Sequence, residues 1–292
     1  MAGTLNHEAY KQLKQGRRLM TYPVTAGKLQ DAAACFRSAI ALDAGKSFEE
    51  CRDQKFGYPK AWGHLGYSVL TAWIEGWESD QTKALQDADD FTGIATSQEH
   101  GKLDYDTRWD RAFFLQMKGS TDPTYFDLAV AEYETAMDLN HVDTNLLLEA
   151  SESYVSAGRH DDALALLDKA GRSICHDWYR WDRAWVYYFK ARSDPAFLDL
   201  AISEIRSMYW NPGEPQYMYD VQLLLAAIYA QKADKPKADC AMAMFQKEKP
   251  GWHVKDEYRA RPLKHKDDQK HLLVWCKEAG LPDPEEFLST FE

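Results

Sequence analysis

Sliding the chain over itself by 72 residues aligns RWDRAFFLQMKGSTDPTYFDLAVAEYETAM (Arg108 to Met137) with RWDRAWVYYFKARSDPAFLDLAISEIRSMY (Arg180 to Tyr209), twelve of thirty positions being identical without a gap. A match of that length marks a duplicated building block, and any fold for this chain has to place the block twice. Each copy carries Asp then Pro, Asp122-Pro123 and Asp194-Pro195, ahead of an apolar periodic segment. That is a helix start: the Asp oxygen accepts hydrogen bonds from free backbone N–H groups, and Pro is tolerated in the first turn, where its missing N–H would be unpaired anyway. Each copy therefore reads as a helix, a turn and a second helix.

A third unit lies between the copies, from Asp143 to Ser173, in which Ala163, Leu167 and Ala170 repeat Ala129, Tyr133 and Ala136 at a spacing of 34. Second-helix anchors fall at Ala32, Ala88, Ala129, Ala163, Ala201 and Ala238. Small residues at such positions let two helix backbones approach closely, while large apolar residues at i, i+3 and i+4 fill the space to the next unit. A lone hairpin cannot bury its apolar face, so several must stack. The long spacing between the first two anchors implies an insertion, placed at Asp43 to Tyr58 as an added loop or short helix.

Ser151, Tyr154, Gly158, Ala163 and Ala170 resemble the tetratricopeptide repeat, as do Ala226, Tyr229, Ala238 and Pro250, and, more loosely, Trp62, Leu65 and Gly66. The resemblance covers roughly residues 10 to 250. It implies an all-α, right-handed α-solenoid of five to six stacked helical hairpins over residues 1–250, with 251–292 as a C-terminal cap packed on the last repeat. It also implies a concave groove that binds a protein or peptide partner. In some members of that family Lys and Asn clamp a peptide's terminal carboxylate; the corresponding places here hold Asn145, Leu148 and Glu152, so that specificity does not transfer.

Pro262, Lys266, Asp267, Lys277, Ala279, Gly280, Leu281 and Pro282 resemble the segment that follows such arrays in bacterial proteins of the adenylate-cyclase-associated type. No cyclase domain is present, so cyclase activity is not implied. Read from the residues, Asp267 to Ala279 is a capping helix that Gly280 ends, and Asp283-Pro284 starts a short final helix.

A net charge of −11 argues against general binding to nucleic acid or anionic membrane. Gln246 to Lys277 is the exception, with nine Lys or Arg against five Asp or Glu; it reads as solvated surface, with a polyanion site as the alternative. Cys35, Cys51, Cys175, Cys240 and Cys276 are scattered, which suits reduced thiols and a cytoplasmic location. No apolar stretch reaches the length of a membrane span.

Conventional chemistry finds little support. AGKS (Ala44 to Ser47) lacks the earlier Gly of a phosphate loop, its place being taken by Ile40. No His pair has metal-ligand spacing on one helix, and His265 and His271 read as solvated surface. Asp87, Asp89 and Asp90 point in different directions on one helix. No catalytic residue, metal or cofactor is assigned.

The candidate binding residues are Trp109, Phe113, Arg108 and Arg111 in the first copy, and Trp178, Trp181, Trp185, Tyr188, Arg180 and Arg183 in the second. The aromatics of the second copy form one helical stripe. They are either core between helix layers or anchors in the groove, and the residues leave both open. The Arg pairs either hold an interhelical network with Asp110 and Asp182 or aim at a ligand carboxylate or phosphate. The first functional expectation is a non-enzymatic peptide-binding scaffold, with self-association as a further partner mode. The alternative is a small-molecule sensor or atypical helical enzyme whose pocket is closed by the inserted loop and the C-terminal segment.

Overall fold

The computed structural model describes residues 4–21, 24–171, 177–208, 220–284 and 286–291; Ser173, Cys175 and Tyr209, named above, lie outside them. Among the described residues every regular element is helical. Two compact units divide at Asp143/Thr144.

The first unit contains α1 (His7–Leu19), α2 (Ala26–Ala44), α3 (Phe48–Gln54), α4 (Pro59–Ile74), α5 (Gln81–Ser97), α6 (Glu99–Lys102), α7 (Tyr105–Lys118) and α8 (Thr124–Leu139). Its hairpins are α1/α2, α4/α5 and α7/α8, and α4 packs on α2 before it and α7 after it. The inserted stretch holds α3, started by a capping box in which Ser47 and Glu50 exchange hydrogen bonds. Phe36, Ile40, Tyr58, Trp62 and Leu65 are fully buried in one cluster with Phe91 and Ile94. Each such side chain contributes about 1.5–3 kcal/mol relative to exposure. Gly66 is needed for closeness: an added Cβ would sit 2.7 Å from Thr92 Cγ2 on α5.

The second unit contains α9 (Thr144–Ser156), α10 (His160–Gly171), α11 (Asp177–Lys190), α12 (Phe197–Arg206), α13 (Asp220–Gln231), α14 (Lys235–Glu248), α15 (Val254–Ala260) and α16 (Lys266–Glu278), followed by a 3-10 turn, Phe287–Phe291. Here α9/α10, α11/α12 and α13/α14 are the hairpins, and α11 touches α9 and α13. All six alanine anchors lie in second helices, Ala32 to Ala201 fully buried and Ala238 at 3% exposure. The all-α hairpin stack expected from them is present within each unit.

The Asp-Pro starts also form. Asp122 accepts from Thr124 N at 2.9 Å and Asp194 from Ala196 N at 3.0 Å. Asp283 accepts from Phe287 N at 2.7 Å, so the third Asp-Pro opens the final turn as expected. The C-terminal helix begins at Lys266, and Gly280 closes it at φ +105°. It packs on α13, so the tail belongs to the second unit.

Candidate functional site

In the first copy, α7 is wedged against its neighbours by charge. Arg108 pairs with Glu132 on α8 at 3.0 Å, and Arg111 reaches Asp89 on α5 at 2.7 Å and Thr92 Oγ1 at 3.0 Å. Asp110 is buried with its carboxylate 2.9 Å from His64 Nδ1 on α4. The sequence suggested an arginine partner for Asp110; the structure supplies a histidine, because Gly63 on α4 leaves room that an added Cβ would fill. One turn earlier, buried Asp106 accepts from Lys60 Nζ at 2.8 Å and Arg17 Nη1 at 3.4 Å, and Lys60 also reaches Asp104 at 2.9 Å.

Burial pushes the Asp106 carboxyl upward, but the charges of His64, Lys60 and Arg17 outweigh it and hold it below the usual carboxylate range. Burial wins at Asp110, which is raised despite His64. Phe113 stacks on Tyr67 with centroids 4.5 Å apart, and half-buried Trp109 has no hydrogen-bond partner for its indole N–H among the described residues.

In the second copy the outer contacts repeat. Arg180 pairs with Glu204 on α12 at 3.3 Å, the counterpart of Arg108 with Glu132, and Arg183 reaches Glu204 at 2.9 Å and Asp168 on α10 at 2.5 Å. Thus all four candidate arginines hold carboxylates of adjacent helices. Asp87, Asp89 and Asp90 are likewise engaged by Arg52, Lys83, Arg111 and Lys118.

The inner face of α11 differs. Trp178, Trp181, Trp185 and Tyr188 run along it with successive centroids 6.0, 6.2 and 5.8 Å apart, each pair edge to face. Trp178 is half-buried and donates its indole N–H to Glu152 on α9 at 3.3 Å. The other three are 5%, 3% and 0% exposed, because the C-terminal segment lies over them. The Arg261 guanidinium sits 3.9 Å from the Trp185 ring centroid and 5.2 Å from that of Trp181, and His271 packs on Tyr188 at 5.3 Å. The stripe is thus neither an open groove nor simple interhelical core; it is a wall with a cover.

Local chemistry seats the cover. Lys264 N donates to Ser156 O at the end of α9 at 2.8 Å, Leu263 N to Gln269 Oε1 at 2.7 Å, and Arg192 pairs with buried Asp268. Gly158, at φ +77°, leaves the notch in which His265 rests. His271 is half-buried rather than solvated; burial, reinforced by Arg192, pushes it down to about 4.

Carboxyls gather around Arg261. Glu257, itself 4% exposed, lies 3.5 Å from Arg261 Nε and accepts from Trp252 Nε1 at 3.4 Å. Asp182 is 2% exposed, with the Glu152 carboxyl beside it, and among the described residues neither Asp182 carboxyl oxygen has a hydrogen-bond partner. Burial pushes Asp182 well above the usual range, the Glu152 and Glu149 charges add to it, and Arg261 opposes them. Burial raises Glu152 and Glu257 too, again against Arg261. Among the described residues the indole N–H groups of Trp181 and Trp185 and the Tyr188 hydroxyl have no hydrogen-bond partner.

Sequence reasoning placed the aromatic stripe and the arginines and missed Glu257, Arg261 and His271. Arg261 lay in the basic stretch read as solvated surface, and the local excess of positive charge was its only signal. No group of His, Cys, Asp and Glu among the described residues is arranged to hold a metal ion, and no described helix is long and apolar enough to cross a membrane.

No family model matches the chain, and no curated protein does. Among solved structures it is similar to the TPR domain of P58(IPK), at 15% identity over 97% of each chain with a TM-score of 0.25.

Proposed function

We propose that this chain is a non-catalytic binding protein that holds an extended peptide segment of a partner against the α11 face of the second unit. The observation that carries this is the row of buried donors on Trp181, Trp185 and Tyr188 that have no hydrogen-bond partner among the described residues. A buried donor left unpaired costs about 1–3 kcal/mol, so such a row favours a ligand that brings acceptors. An extended peptide presents carbonyls on one side about 6.6–6.8 Å apart. The ring spacing of 5.8 to 6.2 Å is of that order.

Trp178, Trp181, Trp185 and Tyr188 form the contact set, with affinity from ring burial and stacking. Trp109 and Phe113 are their counterparts in the first unit. Arg108, Arg111, Arg180 and Arg183, each held in ion pairs, position the helices. Cys35, Cys51, Cys240 and Cys276 are free thiols, which suits a cytoplasmic, reducing location.

The test is tryptophan fluorescence of the full chain titrated separately with a pool of unstructured peptides and a pool of metabolites. Saturable change with peptides, weakened at least fivefold by Trp178→Ala, supports the proposal. Response to metabolites alone transfers the site to a small-molecule sensor. Response to neither overturns it.

A further inference from the structure

Arg261 occupies the wall in the way a ligand would. Trp181 and Trp185 stand at 80° to one another, and the guanidinium lies within cation–π range of both rings. The carboxyl of Glu257 lies 3.5 Å from Arg261 Nε, and the Arg261 charge also reaches Glu152 and Asp182. A planar guanidinium suits such a corner better than a compact ammonium, because it stacks on a ring while its edge hydrogen-bonds to carboxylates.

Arg261 is nevertheless an incomplete occupant. A guanidinium has donors and no acceptor, so it satisfies the ring faces and leaves the indole N–H groups and the Tyr188 hydroxyl unanswered. No backbone carbonyl of the covering segment reaches them. An arginine within an extended peptide brings the same cation and adds flanking carbonyls.

We infer that the Trp181–Trp185 corner is an arginine-recognition site, at which a partner peptide's arginine replaces Arg261. This rests on the peptide-binding proposal above and names the anchoring residue of the partner. Arg261 is then a resident competitor: the apparent affinity of the wild type is lowered by the fraction of time the corner is filled. The Lys264-to-Ser156 and Leu263-to-Gln269 hydrogen bonds attach the covering segment next to the corner.

The experiment uses the full chain and acetyl-Ala-Ala-Arg-Ala-Ala-amide, with a citrulline version that keeps the shape and removes the charge. Calorimetric titration is expected to show the arginine peptide binding Arg261→Gln at least tenfold tighter than wild type, and the citrulline peptide gaining less than twofold. Arg261→Lys, which keeps the charge and is the fallback should circular dichroism show Arg261→Gln unfolded, is expected to tighten arginine-peptide binding at least threefold. Equal binding of the two peptides overturns arginine recognition and leaves peptide binding standing. Acetylarginine amide binding as tightly as the pentapeptide overturns the peptide as the source of the cation. No binding of either peptide to any of the proteins overturns both proposals.

Discussion

In α7 the Asp110 carboxylate meets His64, and Asp106 one turn earlier meets Lys60 and Arg17. At the equivalent positions of α11, 72 residues on, Asp182 meets the Glu152 carboxyl, and Trp178 stands where Asp106 stood. The outer contacts did not change: Arg108 with Glu132 and Arg180 with Glu204 are the same pair twice. The duplication kept what fastens the first helix of each hairpin to the second and let the inner face diverge. One inner face carries an ionic network around Asp106 and Asp110; the other became an aromatic wall under a cover. A five-residue identity therefore fixes a structural role and says little about the chemistry beside it.

The largest expected effect tests how completely the two walls are covered. Trp185→Ala should cost about 4 kcal/mol in urea unfolding, as for a large buried aromatic, and Phe113→Ala at the equivalent, half-buried place about 2 kcal/mol. Equal losses would mean that the C-terminal cover contributes nothing. Next is charge. Lys60→Met strips buried Asp106 of its nearer cation and should cost about 3 kcal/mol, since removing one partner leaves the other buried and under-compensated. Glu152→Gln removes a charge that opposes ionisation of Asp182 and should cost far less.

Titration should separate the copies by sign. Asp182 is raised in the folded state, so above the usual carboxylate range near pH 4 the unfolded chain releases a proton that the folded chain retains, and stability falls as pH rises. Melting temperatures of Asp182→Asn relative to wild type should therefore improve as pH rises above about 4. Asp106 is lowered, so its contribution is present above the unfolded value and lost as pH falls through the folded one. Asp106→Asn should be most damaging at neutral pH and least in acid. Parallel pH curves for the two variants would erase the contrast. The smallest effect concerns what the copies share: Arg108→Ala and Arg180→Ala should each cost about 1 kcal/mol, equal within error.

The hairpins were legible in the sequence because their determinants are local. Ala129 and Ala201 permit close helix approach, Asp122 and Asp194 start second helices, and Gly280 ends the last long one. The walls were not, because each depends on a partner far along the chain. Lys60 and Asp106 are 46 residues apart, and Arg192 and Asp268, which seat the cover, are 76 apart. Helical spacing identified Trp181, Trp185 and Tyr188 as one stripe; only the path of residues 252–279 decides what lies on it.

Indole N–H exchange, followed by NMR on tryptophan-labelled full chain with signals assigned by single Trp→Phe variants, tests the covering of this wall directly. Trp181 and Trp185 should exchange slowly in wild type and at least tenfold faster in Arg261→Ala, with Trp109 unchanged. Fast exchange at both in wild type, or protection untouched by loss of Arg261, would contradict the account.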